Sequence, residues 1–363
     1  MIRREFLGGF LALLAASGCG GGDNSSSSFG QPQSQPALDA ALDRVFATTR
    51  STSVRALLLA GDRFAWSGQR GMDPTVDPFT RIGSVTKTVT GTAVLQLVDE
   101  GLIGLDQTIE RWFPQLSESP ELTIRMLGTM ASGIASYSTD DTTMNRYLSQ
   151  PDLVWTPQQL MDISFALPRS FRPGQGYEYS NTNFLMLAHI VEQVSGLPID
   201  RFMRERIFAR LEMTSTTYPY TPALPAGTWR GRTEQGSPRD ATDWNPTFLG
   251  AAGELVSNQQ DLLRWSRALG RGTLLSAATQ AQRLLPNPHS EGGGRAYLFG
   301  VGNDRGWLSH SGEIPGYNTQ IAYDPRNDVS IVVLCNSDIP TSEGPLPAPA
   351  IYAGLRQAWE AGS

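Results

Sequence analysis

The sequence predicts an α+β fold: an antiparallel sheet built from both chain ends, flanked by helices, with a mostly helical region inserted at about residues 105–290. Three observations carry this. Two strand-like runs lie near the start, at 54–60 and 63–69. Three more lie near the end, at about 308–311, 317–323 and 329–336. Between the two groups, helical spacing of apolar residues alternates with Pro/Gly loops.

The elements follow in order. Leu38, Leu42, Val45 and Phe46 recur at helical spacing and predict an opening helix. Gly61-Asp62 predicts a two-residue hairpin between the first two strands. A mostly apolar helix starts at Ser84, runs through Val89, Val94, Leu97 and Val98, and is stopped by Gly101. In the inserted region, 183–194 reads as a helix closed by Gly196, and 260–269 as a helix closed by Gly270. Asp324-Pro325-Arg326-Asn327-Asp328 predicts the turn between the last two strands. Ile351, Leu355 and Trp359 form the stripe of a closing helix.

Residues 1–19 read as an export signal. Arg3-Arg4-Glu5-Phe6-Leu7 resembles a twin-arginine signal, and the apolar run 10–16 is too short to span a bilayer. Ala16-Ser17-Gly18-Cys19 resembles a lipobox, with Ala16 where Leu is usual, so Cys19 is the expected lipidation site; the alternative is an ordinary signal peptide. Residues 20–36 are rich in Gly, Ser and Gln and read as a flexible tether to a body at 37–363. The expected location is the periplasm or cell envelope, with the membrane touched only through the anchor. Cys335 lies in an apolar run and reads as a buried small hydrophobe, so no internal disulfide is expected. No Cys/His cluster has zinc spacing. A net charge of −6 and a pI near 5.2 argue against a nucleic-acid partner.

The chain holds twenty-eight arginines and a single lysine, Lys87. Arginine stays charged at any working pH, whereas a buried lysine can lose its proton and serve as a base. Lys87 ends Ser84-Val85-Thr86-Lys87, an S-x-x-K motif that pairs a hydroxyl nucleophile with an amine one helical turn away. The free N–H groups at a helix start favour an oxyanion. Tyr179-Ser180-Asn181 follows later: a Tyr hydroxyl can shuttle protons if cationic charge lowers its pKa, and Asn181 could donate to a substrate carbonyl and accept from Lys87. Read alone, this stretch is better explained as an ordinary turn. His310-Ser311-Gly312 lies on a predicted strand, where Gly312 lets a substrate lie along the edge. The N–H of Glu313 could then complete an oxyanion hole with that of Ser84. His189 and His289 read as ordinary hydrogen-bonded histidines.

Together, in this order, the three motifs resemble the serine β-lactamase and penicillin-binding protein superfamily, and within it the branch of class C β-lactamases, D-alanyl-D-alanine carboxypeptidases and related esterases. The resemblance covers about residues 37–360 and extends to 81–87, 101–106, 122–133, 171–184, 253–262 and 310–317. It implies a β-lactamase/transpeptidase-like fold in which Ser84 forms an acyl-enzyme and Lys87 and Tyr179 share the acid–base work. Asn181 would hold the substrate amide, the strand at His310 would pair with substrate, and no metal or cofactor would be needed. The implied substrate is a small peptide, ester or β-lactam. Carboxypeptidase-like peptidase activity ranks first, followed by carboxylester hydrolysis, β-lactamase activity and a non-catalytic binding role. Two departures bear on this. His310 stands where many relatives carry Lys, so the carboxylate anchor falls to Arg295 or Arg305, or to a His310 that gains a proton between about pH 8 and pH 6. Met130 stands where relatives usually carry His, and reads as drift at a structural position. The segment 218–245, rich in Pro, Gly, Arg and Trp, is expected to wall the pocket.

Overall fold

Gly61, at φ +55°, turns the chain so that β1 (Ser53–Ala60) and β2 (Phe64–Gly71) form an antiparallel hairpin with Ala60 opposite Phe64. The loop holds Gly61, Asp62 and Arg63, one residue more than expected, because the Arg63 N–H closes the turn onto the Ala60 carbonyl at 3.3 Å. The computed structural model describes residues 35–362 other than 72, 74, 76 and 238. The export signal, Cys19 and the tether up to residue 34 lie outside the described residues. Pro36 already belongs to the opening helix, α1 (Pro36–Phe46).

Two short strands, β3 (Thr80–Arg81) and β4 (Val256–Ser257), pair beside the main sheet. The remaining strands are β5 (Arg295–Tyr297), β6 (Gly302–Asp304), β7 (Trp307–Ile314), β8 (Tyr317–Asp324) and β9 (Val329–Cys335). The main sheet runs β2-β1-β9-β8-β7-β6-β5 with every pairing antiparallel. Strands from both chain ends thus form one sheet, with β1 against β9.

Side chains alternate across a sheet, and here both faces are covered. Val54, Ala56 and Leu58 of β1 pack with Ile331 and Val333 against α1 and the closing helix Pro347–Gly362, through Leu38, Leu42, Ile351 and Leu355. Leu57, Leu59, Val332 and Leu334 face the larger core. At its centre is α2 (Thr86–Asp99), buried from Thr86 to Leu97 and so without a solvent-facing side over that span. Gly83–Val85 forms a 3₁₀ turn ahead of α2, so Ser84 precedes the regular helix instead of opening it.

Two helices of the inserted region show what ends a helix. Asn181–Ser195 closes at Gly196, which is left-handed at φ +69°, as expected. The helix Gln259–Arg271 runs through Gly270 and closes at Gly272, also at φ +69°. Gly270 instead serves packing. A Cβ there would lie 1.9 Å from the ring of Tyr323, so only glycine lets this helix approach β8.

Candidate active site

Ser84 is partly exposed on the 3₁₀ turn, and Lys87 below it is completely buried. Lys87 Nζ lies 3.0 Å from Ser84 Oγ and donates to the Ala252 carbonyl at 2.8 Å. The segment carrying Ala252 is tied to α2: Thr90 donates to the Ala251 carbonyl at 2.7 Å, and the Leu255 N–H donates to Thr86 Oγ1 at 3.3 Å. Desolvation pushes the Lys87 ammonium pKa well below its ordinary value, because burial penalises the charged form. The free amine is therefore favoured, with one N–H held by Ala252 and its lone pair available to Ser84.

The Tyr179 hydroxyl lies near enough to Ser84 to interact with it, and Lys87 Nζ lies 4.8 Å from the Tyr179 ring centroid. Burial raises the Tyr179 pKa, so this group is a protonated phenol rather than the acidified shuttle expected from sequence. A neutral amine beneath the ring supplies no cation to lower it. Asn181 differs from expectation as well. Its Nδ2 donates to Ser138 Oγ at 3.1 Å, and the second partner of Lys87 is the Ala252 carbonyl.

Strand β7 crosses directly over the nucleophile turn. A Cβ on Gly312 would lie 1.8 Å from the Ile82 carbonyl oxygen and 3.1 Å from the Ser84 nitrogen; one on Gly83 would lie 2.8 Å from the Glu313 nitrogen. The two glycines thus let the backbone amides of Ser84 and Glu313 come together. Strand β6 pairs with β7 only as far as Ser309, which leaves the edge beyond it, with Ser311 exposed, open towards a cleft of about 460 Å³.

His310 lines that cleft but is 8% exposed. Its Nδ1 is 2.6 Å from the Ser311 carbonyl and its Nε2 is 3.2 Å from the Tyr297 hydroxyl. A carbonyl only accepts, so Nδ1 carries the hydrogen and Nε2 receives the Tyr297 O–H. Desolvation, and the repulsion that Lys87 exerts whenever it is protonated, push the His310 pKa down to about 4. His310 is therefore neutral between pH 6 and 8, and the expected proton gain in that range does not occur. Arg295 lines the same cleft, paired through Nε with Asp304 at 3.1 Å, whereas Arg305 stands outside the lining.

Segment 218–245 wraps the end of the sheet that carries Glu313. The Trp229 carbonyl accepts from the Tyr317 hydroxyl at 2.6 Å, and Gln235 Nε2 donates to Asp338 Oδ2 at 2.7 Å. Tyr218 reaches inward to Glu254, a carboxyl 2% exposed whose pKa burial pushes up to about 8. His189 packs against Phe113 away from the site. Cys335 is buried in β9 opposite Val54. Among the described residues, no group of three or more His, Cys, Asp and Glu side chains could hold a metal ion, and no helix is long and apolar enough to cross a membrane. The sequence reading missed Ala252, Ser138 and Tyr297; the first acts through its backbone and carries no side-chain signal.

A serine bonded to a buried amine and flanked by a half-buried phenol, under a strand edge that brings up a second amide, marks this sheet-and-helix fold as a serine hydrolase of the β-lactamase/transpeptidase class. The chain belongs to the Beta-lactamase family, whose model matches residues 40–355. It is 25% identical over 270 residues to Protein flp of Staphylococcus aureus (strain NCTC 8325 / PS 47), covering 70% of this chain and 52% of that protein. It is 24% identical over 257 residues to the putative penicillin-binding protein PbpX of Bacillus subtilis (strain 168), covering 70% and 61%. The chain thus spans about half the length of the first of these relatives. Among solved structures it is similar to a D-stereospecific amidohydrolase from Streptomyces sp., with a TM-score of 0.81 and 28% identity, covering 91% of this chain and 100% of that one. It is also similar to a D-amino acid amidase from Ochrobactrum anthropi SV3, with a TM-score of 0.78 and 26% identity, covering 90% and 97%.

Proposed function

We propose that this protein hydrolyses amide bonds of small D-aminoacyl substrates through an acyl-enzyme on Ser84. Lys87 Nζ takes the Ser84 hydroxyl proton as Oγ bonds to the carbonyl carbon. The N–H groups of Ser84 and Glu313 hold the resulting oxyanion. Tyr179 gives its phenolic proton to the leaving nitrogen as the C–N bond breaks, and regains one from the Lys87 ammonium. Water then repeats the addition, its proton passing to Lys87, and Ser84 leaves with a proton restored. Asn181 is the candidate for holding the substrate amide, and the β7 edge at Ser311 and Gly312 for pairing with the substrate backbone.

The observation that carries this reading is the placement of the pair: a buried amine 3.0 Å from Ser84 Oγ and a phenol ring 4.8 Å from that amine, where desolvation favours the free amine as base and the protonated phenol as acid. Expelling an amine needs both. A neutral His310 suits an uncharged leaving group, and the D-specific names of two structural neighbours support the stereochemistry. A carboxypeptidase-like reading is second. It is favoured by Arg295, which lines the cleft, pairs with Asp304 through Nε alone and has a 68% exposed side chain. Ester or β-lactam opening would use the same groups with less demand on Tyr179. We also propose that the protein works at the cell envelope, held by a lipid on Cys19. Intact-mass analysis of the mature protein tests this, and a mature chain that retains residues before Cys19 refutes it.

The test of the reaction is a panel run with native protein and Ser84→Ala. It comprises D- and L-alanine amide, an acyl-D-Ala-D-Ala peptide, a short p-nitrophenyl ester and a cephalosporin. The D-amide is expected to exceed the L-amide by at least about tenfold, and Ser84→Ala to lose at least about 10³-fold. Equal rates on the two enantiomers, or faster turnover of the ester alone, would overturn the amidase reading. Activity in Ser84→Ala would overturn the nucleophile.

A further inference from the structure

Met130 is completely buried and has a left-handed backbone, φ +61°, just past the short helix Ile124–Gly128. Both neighbours of Tyr179 donate hydrogen bonds to it. The Glu178 N–H reaches the Met130 carbonyl at 3.1 Å, and the Ser180 N–H reaches Met130 Sδ at 3.3 Å. The amide of Asn183, buried in the following helix, also points at this sulfur, with Nδ2 at 3.6 Å; its Oδ1 accepts from Ser132 at 2.8 Å. In an extended chain, amides two residues apart point the same way. Clamping 178 and 180 from one side therefore fixes the rotation of the segment about its axis, and with it the direction of the Tyr179 ring.

We infer that Met130 is a positioning residue for Tyr179, and that it acts through its sulfur as a hydrogen-bond acceptor rather than through its bulk alone. A thioether is a weak acceptor, but the alternative for the Ser180 N–H is burial with no partner, which is costly. The inference rests on the acyl-transfer reading of Ser84 and Tyr179. Losing the clamp lets the phenol drift from Ser84, and a misplacement of about 1 Å can cost roughly a hundredfold in rate.

Chain chemistry supplies the comparison. Met130→Leu puts a methyl group where Sδ lies and removes the acceptor at similar volume. Met130→His puts Nδ1 at that chain position, and Met130→Asn puts Oδ1 there; His and Asn also tolerate the left-handed backbone. Rates are measured per acylatable Ser84, counted by the burst with a chromogenic ester, so that loss of folded protein does not register. Ser84→Ala is the control: turnover in it would undermine the acyl-enzyme reading, separately from the role of Met130. Met130→Leu is expected to lower kcat by about ten- to a hundredfold with KM within about threefold, and to alter the pH profile of kcat. Met130→His and Met130→Asn are expected to stay within about fivefold of native. Met130→Leu within threefold of native kcat, with an unchanged pH profile, would overturn the proposal. If Met130→Leu does not fold, folded Met130→His or Met130→Asn below a tenth of native kcat would overturn it, and native-like values would support it.

Discussion

Lys87 and His310 are both buried bases beside the Tyr179 ring, and burial lowers the pKa of each, yet the structure gives them opposite uses. The Lys87 nitrogen faces Ser84 Oγ, so losing its proton leaves a lone pair aimed at the nucleophile. Both nitrogens of His310 are occupied, one by the Ser311 carbonyl and one by the Tyr297 hydroxyl. Its neutrality therefore produces a fixed, uncharged wall. What a buried base does is decided by what its lone pair meets, and residue type alone would have ranked the histidine as the titrating group near neutral pH.

The comparison breaks most visibly at Lys87. Lys87→Ala and Lys87→Arg are both expected to lose about 10²- to 10⁴-fold in kcat/KM, the range for a lost general base. Arginine keeps the charge but cannot accept a proton, and it would bury a permanent cation. A folded Lys87→Arg above about a tenth of native activity would show that the site needs a charge there, not a base.

At His310 the expectation is a flat response. With its pKa near 4, its charge does not change between pH 6 and 8, so KM for an anionic peptide and for a neutral amide should run parallel over that range. The kcat of both should fall together on acidification as Lys87 takes up a proton. A selective drop in KM for the anionic substrate from pH 8 to pH 6 would place a titrating cation in the cleft.

Glu254 sharpens the comparison with a buried acid. Its folded pKa of about 8 is raised above the ordinary value of 4.5, so its contribution to stability is fully present below about pH 4.5 and is lost as pH rises through about 8. Glu254→Gln does not titrate. Relative to native, it should therefore gain on the order of a few kcal/mol between pH 5 and pH 9, with little difference at the acid end. Thermal melts across that range check the sign. A gap that stays constant would mean that Glu254 ionises freely.

Where side-chain pattern decides structure, the sequence is readable. The apolar runs of β8 and β9, the stripe of the closing helix and the left-handed cap at Gly196 appear where the spacing places them. Ser84, Lys87, Tyr179 and His310 do converge. Strands β5 and β6 have no sequence signal because three residues carry no periodicity, and they exist only by pairing beside β7. Gly270 misleads because a glycine near a helix end looks like a cap, whereas contact with Tyr323 is set by tertiary packing. The partner of Lys87 is a backbone carbonyl contributed from far along the chain, and the role of Met130 lies in a sulfur aimed at an amide fifty residues on. The first has no signature in residue type, and the second shows in the sequence only as a Met where the resemblance expects His.

The pairing of β1 with β9, Val54 opposite Cys335, also sets a timetable. A ribosome adds about 5–20 residues per second, so the inner edge of β1 waits on the order of tens of seconds for the strand that covers it. Until then, Leu57 to Leu59 offer an unpaired apolar edge, the kind that recruits other chains. Over the same interval Ser84 and Lys87 have been made but Gly312 and Glu313 have not, so the nascent chain lacks half of its oxyanion hole. The site is finished only once Glu313 has been added, and a product truncated before it should emerge inert and prone to aggregate.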